Sequence, residues 1–143
     1  MRIGELAKLA NCTTETIRFY EKEALLPPPE RNGANYRTYT QGHVDRLRFI
    51  RNCRALDMTH EEVRALLVAS DDPSGNCESV NALVDDHIAH VDERLAELAH
   101  LRDQLTELRQ RCGTEAAVAK CGIVQGLTSM DTVPSKPRTT HLG

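Results

Sequence analysis

The sequence predicts a mainly all-α protein: a winged helix-turn-helix head, a long antiparallel coiled-coil dimerisation helix and a C-terminal cysteine loop. Three observations predict it. Two pairs of short amphipathic helices occupy the first 70 residues, separated by prolines and an Asn-Gly turn. An unbroken apolar stripe then runs from Cys77 to Cys112 with no proline or glycine inside it. Finally, the cysteines sit at the two ends of that stripe and just beyond it.

Ile3, Leu6, Ala7 and Ala10 share one face of a first helix, which Asn11-Cys12 ends. Thr13 is a suitable N-cap for a second helix, from Thr14 to about Lys22, anchored inward by Ile17. Two short helices joined by a tight turn can place the second in a major groove. Arg18 projects from that helix, and Thr14, Thr16 and Tyr20 lie near enough to serve as contacts to phosphates or base edges. Arg paired with guanine is the commonest specific contact of this kind. Pro27-Pro28-Pro29 forbids helix and forces an extended path. Around Asn32-Gly33 the flanking residues can pair as a two-stranded ribbon carrying Arg31, Tyr36, Arg37 and Tyr39, a wing suited to a phosphate backbone. Thr40 caps a helix to about Leu56, and the capping box Thr59 to Glu62 opens another to about Ser70.

Residues 71–76 read as a linker and 77–112 as the dimerisation helix. Its stripe is Ile88, Val91, Leu95, Leu98, Leu101, Leu105 and Leu108, with charged residues between, as in a helix packed on another helix. At about 1.5 Å per residue its end cysteines are separated by roughly 50 Å, so they cannot share a site within one chain. An antiparallel partner helix places Cys77 of one chain beside Cys112 of the other. Cys121 lies across a short loop, which suggests a three-thiolate site built across a homodimer. Residues 113–127 form the loop and a short apolar turn of helix, and 128–143 a flexible tail.

The charge is divided unevenly. Residues 1–56 carry ten Lys/Arg against six Asp/Glu, whereas residues 57–112 carry five against thirteen. A basic head on an acidic body suits nucleic acid. No apolar run approaches the roughly 20 residues of a membrane span, and no signal-peptide core follows Met1, so a cytoplasmic protein is expected. Five cysteines, an odd number, argue for metal or redox chemistry rather than a disulfide framework. Cys12 and Cys53 sit on apolar faces and read as small hydrophobes. His87 and His90, beside Asp86, are spaced for a secondary metal site or a solvated pair. No CxxC occurs, against a thiol enzyme; an oxidant sensor stays open through the cysteines.

This order of parts resembles the MerR family of transcriptional regulators. The resemblance is carried by Glu15-Thr16-Ile17-Arg18-Phe19-Tyr20-Glu21, Leu25-Leu26-Pro27 and Asn35-Tyr36-Arg37-Thr38-Tyr39, then by the second helix pair and the long helix. Phe49 to Arg54, Leu56-Asp57-Met58 and Cys77 to Leu83 are similar to the cadmium- and lead-responsive branch, CadR and PbrR. The resemblance implies a non-enzymatic homodimer on a palindromic operator in double-stranded promoter DNA. It would distort the promoter on metal binding, so that RNA polymerase engages both elements and heavy-metal resistance genes are activated. It also implies that Cys77 from the partner chain, Cys112 and Cys121 hold the effector ion. Cys77, rather than the Ser usual in the copper branch, points to a divalent ion. The loop between 112 and 121 has no His, unlike the zinc branch. Three sulfurs suit lead, mercury or cadmium over zinc; the wider likeness to the cadmium- and lead-responsive branch implies Pb(II) or Cd(II), with Hg(II) the alternative and zinc disfavoured.

Overall fold

The structure is a computed structural model that describes residues 1–113 and 118–131. It divides into two compact units, Met1–Leu83 and a second beginning at Val84.

The first unit is the expected head. Its elements are α1 (Ile3–Leu9), α2 (Thr14–Lys22), β1 (Glu30–Arg31), β2 (Arg37–Thr38), α3 (Gln41–Ala55) and α4 (His60–Ser70). Three of its helices end alike. Asn11, Ala24 and Asp57 take left-handed backbone, with φ of 52°, 57° and 61°. In each case the next amide, of Cys12, Leu25 or Met58, reaches back to the carbonyl of Ala7, Tyr20 or Cys53. This paired closure satisfies carbonyls that the helix end leaves open and turns the chain sharply. It is what makes α1–α2 and α3–α4 two tight helix pairs. Thr13 accepts from the Thr16 amide and Thr59 from the Glu62 amide, while Glu62 returns a bond to Thr59 N–H. At α3 the cap uses His43: its Nδ1 accepts from Thr40 N–H at 3.1 Å while Nε2 bonds the Pro27 carbonyl at 3.1 Å.

The core joins Leu6, Ile17, Leu25, Leu26, Val44, Leu47, Ile50, Val63 and Leu67. Val80 and Leu83, from the first turns of the next helix, pack against it. The first compact unit therefore reaches Leu83, beyond the helix pairs that end at Ser70, because those two side chains belong to its apolar surface.

The wing pairs Glu30 with Thr38 and Arg31 with Arg37, antiparallel. Its tip is longer than the two-residue turn that Asn-Gly suggests. Asn32 Oδ1 accepts from the Ala34 and Tyr36 amides, and Asn35, not Gly33, takes the left-handed φ of 65°. The asparagine side chain substitutes for the tight turn.

The long helix α5 is Cys77–Gln110. It stops short of Cys112: the Arg111 and Cys112 amides bond back three residues, to Leu108 and Arg109, and Gly113 follows. Ile88, Leu95, Leu98, Leu101 and Leu105 are exposed along it, while Leu108 is buried. After a single 3-10 turn at Val118–Lys120 comes α6 (Gly122–Ser129). It is longer than the expected turn to 127, and the Thr128 and Ser129 hydroxyls bond the Val124 and Gln125 carbonyls one turn back. The expected tail beyond residue 131 and the centre of the loop, 114–117, lie outside the described residues. Among the described residues no helix is long and apolar enough to cross a membrane.

Candidate DNA interface and metal centre

On the head, α2 presents Arg18 to solvent, with Thr14 and Thr16 half-buried beside it. Arg18, Lys22 and Arg37 line one shallow, open cleft together with Ile3 and Glu21. Recognition helix and wing thus bring three cations together. Lys22 escaped the sequence reading because nothing local marks it; only the return of β2 to α2 does. On the wing, Tyr36 is exposed, its ring covered by the Arg2 guanidinium at 4.5 Å from the centroid. Arg31 is tied to the loop carbonyl of Asn35 at 2.9 Å.

Two expected contacts are corrected. Tyr20 is 7% exposed and Tyr39 2%, so both rings belong to the core and not to the contact face. Tyr20 is the third residue after Ile17, on the inward stripe of α2, and the neighbouring Phe19 is the exposed aromatic. Tyr39 packs edge-on against His43 and donates its hydroxyl to Glu21 Oε1 at 2.5 Å. Burial and the Glu21 carboxylate push its phenol up to about 12, so it stays a donor.

The second unit brings Cys112 and Cys121 together. Cys121 is the N-cap of α6. Its side chain makes no cap hydrogen bond, but the Val124 and Ile123 amides, the Cys112 thiol and the Arg109 cation surround its sulfur. Each contact favours thiolate, and together they hold Cys121 below the ordinary thiol range. Cysteine is not among the usual capping residues, so nothing local in sequence marks this position as a helix start. The Arg109 guanidinium also donates to the Cys112 carbonyl at 2.7 Å, fixing the chain where it leaves α5.

Packing of α6 on α5 sets that geometry. A Cβ at Gly122 would lie 2.5 Å from the Arg111 carbonyl oxygen, and one at Gly126 3.0 Å from Leu108 Cδ2. The two glycines let α6 lie against the end of α5, and Leu108 is buried there.

The remaining cysteines differ. Cys77 is exposed at the start of α5, at the opposite end of the helix from Cys112. Within the head, burial pushes the thiols of Cys12 and Cys53 up, so both stay protonated at neutral pH. The rings of His87 and His90 meet edge-on, 6.3 Å between centroids.

A basic cleft between a recognition helix and a wing defines a winged helix-turn-helix DNA-binding protein. Residues 1–69 match the model of the MerR HTH family regulatory proteins, and residues 44–108 that of the MerR DNA-binding region. The chain is 47% identical over 111 residues to a ZntR homolog of Haemophilus influenzae, covering 78% of this chain and 82% of that protein. Among solved structures it resembles PbrR691 of Ralstonia metallidurans, in complex with lead(II). The identity is 50% and the TM-score 0.81, covering 89% of this chain and 98% of that one. MerR of Bacillus megaterium, in complex with mercury(II), is 32% identical with a TM-score of 0.73, covering 90% and 100%. The chain belongs to the MerR family of transcriptional regulators; it is a DNA-binding regulator and not an enzyme.

Proposed function

We propose that this regulator senses a soft divalent metal ion, Pb(II) or Cd(II), and activates heavy-metal resistance genes by distorting promoter DNA. The observation that carries the reading is the pairing of Cys112 and Cys121, one sulfur already favoured as thiolate by two helix amides. Thiolates are the metal-binding form, and polarisable sulfur favours lead, cadmium or mercury. Two sulfurs leave the set open. Cys77 of the partner subunit completes it in an antiparallel homodimer, whose formation the exposed stripe Leu95, Leu98, Leu101 and Leu105 supports. Likeness to the lead(II)-bound PbrR691 favours lead. The second reading is Hg(II), favoured by likeness to the mercury(II)-bound MerR; the ZntR homolog keeps zinc in the test.

In this mechanism Cys112 and Cys121, once loaded, tie the α5–α6 turn of one subunit to the head-proximal end of α5 in the other. The heads then hold the palindromic operator in a bent, undertwisted form on which RNA polymerase engages both promoter elements. Switching requires tighter metal binding in the activating state than in the repressing one. The regulator works in the cytoplasm, where its thiols stay reduced. The test is competitive titration of the reduced dimer with lead, cadmium, mercury and zinc, read by sulfur-to-metal ultraviolet bands. Lead or cadmium bound by three sulfurs and preferred over zinc is the expected result. Preference for zinc, or ligation that survives Cys112→Ser unchanged, overturns the proposal.

A further inference from the structure

Glu21 lines the basic cleft between α2 and the wing, where a carboxylate is electrostatically out of place. Around it stand Arg18, Lys22 and Arg37, and an approaching phosphate would be repelled by it. Yet the side chain is only 13% exposed and both its oxygens are engaged. Oε1 accepts the Tyr39 hydroxyl at 2.5 Å, and Oε2 faces Arg37 Nη1 at 3.4 Å. Tyr39 is itself fixed: its amide donates to the Met1 carbonyl at 2.8 Å, its carbonyl accepts from the Met1 nitrogen at 2.8 Å, and its ring is buried against His43. A chain of fixed groups therefore runs from the core, through Tyr39 and Glu21, to the wing cation Arg37. Glu21 is also three residues from Arg18, on the same side of α2.

We propose that Glu21 is a positioning residue for operator recognition, a strut that sets the distance and angle between the recognition helix and the wing. Its negative charge weakens sequence-independent attraction to DNA. In exchange Arg37 is held in register with Arg18, so that both meet the duplex at once. Phosphate contacts fix register and base contacts read sequence, so loosening the strut should damage discrimination more than attraction. Glu21→Gln keeps an acceptor for Tyr39 but turns an amide donor toward the Arg37 donor, which releases the wing cation. Tyr39→Phe breaks the same chain at its other joint with no change of charge.

The test uses the full-length protein, a duplex selected by the wild type from a random pool, and a scrambled duplex of equal length. Affinities are measured across a salt series. For Glu21→Gln the ratio of selected to scrambled affinity should fall about tenfold, the usual worth of one hydrogen bond to a charged group. Binding to the scrambled duplex should hold or strengthen, with a salt slope steeper by up to about one. Tyr39→Phe should lower the ratio similarly and leave the slope unchanged. Equal weakening on both duplexes would mean a merely structural loss and overturns the proposal. So does an unchanged ratio in Tyr39→Phe, whether or not Glu21→Gln folds.

Discussion

Gly122→Ala is the sharpest probe of the cysteine centre. The new Cβ would stand 2.5 Å from the Arg111 carbonyl oxygen and 3.0 Å from Arg111 Cβ. Backbone cannot rotate away as a side-chain tip can. To reach ordinary contact at 3.4 Å, the start of α6 must withdraw by about 0.9 Å. Cys121 precedes Gly122 directly, and the amides that hold its sulfur belong to Ile123 and Val124. The withdrawal therefore moves the Cys121 sulfur and the amides beside it away from Cys112 together. Metal–ligand distances hold to about 0.2 Å, so a shift of this size breaks the preformed pair. Disturbing the groups that orient a ligand commonly costs 10–100-fold in metal affinity, and about 50-fold is expected for lead. Overpacking should also cost about 1–3 kcal/mol of local stability. The assay is competition against a chromophoric chelator under reducing conditions, with binding to the selected duplex as a check on the head. Gly113→Ala is the control: it adjoins Cys112, but its Cβ would meet nothing within 4 Å. Equal lead affinity in Gly122→Ala and wild type would refute the packing argument, and so would equal losses in the two variants.

Replacing Cys77, Cys112 or Cys121 by Ser should abolish metal-dependent activation in a reporter assay while leaving operator binding near wild type; a normal response of Cys77→Ser would remove the partner's sulfur from the site. Ala24→Gly should stabilise the head by about 0.5–1 kcal/mol, because Ala24 holds a left-handed φ of 57° that glycine adopts freely. Thermal melts should rise by a few degrees, and an unchanged or lower Tm would refute it. Metal affinity should weaken as pH falls, since the ligands bind as thiolates. Cys121, held below the ordinary thiol range, should deprotonate first, and Cys121→Ser should remove the lowest thiol step in an ultraviolet absorbance titration. Arg18→Ala should weaken binding to the selected duplex by about 1–3 kcal/mol and relax its sequence preference; unchanged affinity at fixed salt would sink its assigned role.

The head was legible because its signals are local. Thr13, Thr59 and the prolines each act within a few residues, and the helix pairs fall where caps and breakers put them. Even the left-handed turns at Asn11 and Asp57 use residues that tolerate that backbone. Ala24 does not advertise itself, yet closes its helix with the same pair of bonds. Misreadings arose where two polar faces meet. Tyr39 looks like a wing contact in sequence, and only its burial against His43 turns its hydroxyl to Glu21. The same holds for Gly122, whose meaning lies in the Arg111 carbonyl and not in any neighbour in sequence. The spacing of Cys112 and Cys121 identified the candidate ligands but not the amides that favour thiolate at one of them.

Those amides also bear on how a signal could leave the site. Cys121 caps α6, and α6 is fitted to α5 through Gly122 and Gly126 with Leu108 between. Any change at the sulfur therefore acts on a helix start, and through a backbone contact on the last turn of α5. The carbonyl of Arg111 cannot yield without moving the chain that carries Cys112, itself held by Arg109. A flexible, side-chain-only site would absorb ligand binding locally. Here α6 approaches the Arg111 backbone at a glycine with no room for a Cβ, so on the proposed site metal occupancy would act on the path of α5's end. Forcing that contact apart without touching a cysteine, as Gly122→Ala does, should therefore lower the efficacy of activation at saturating metal as well as the affinity. Full activation at saturation would mean that coupling runs through the sulfurs alone.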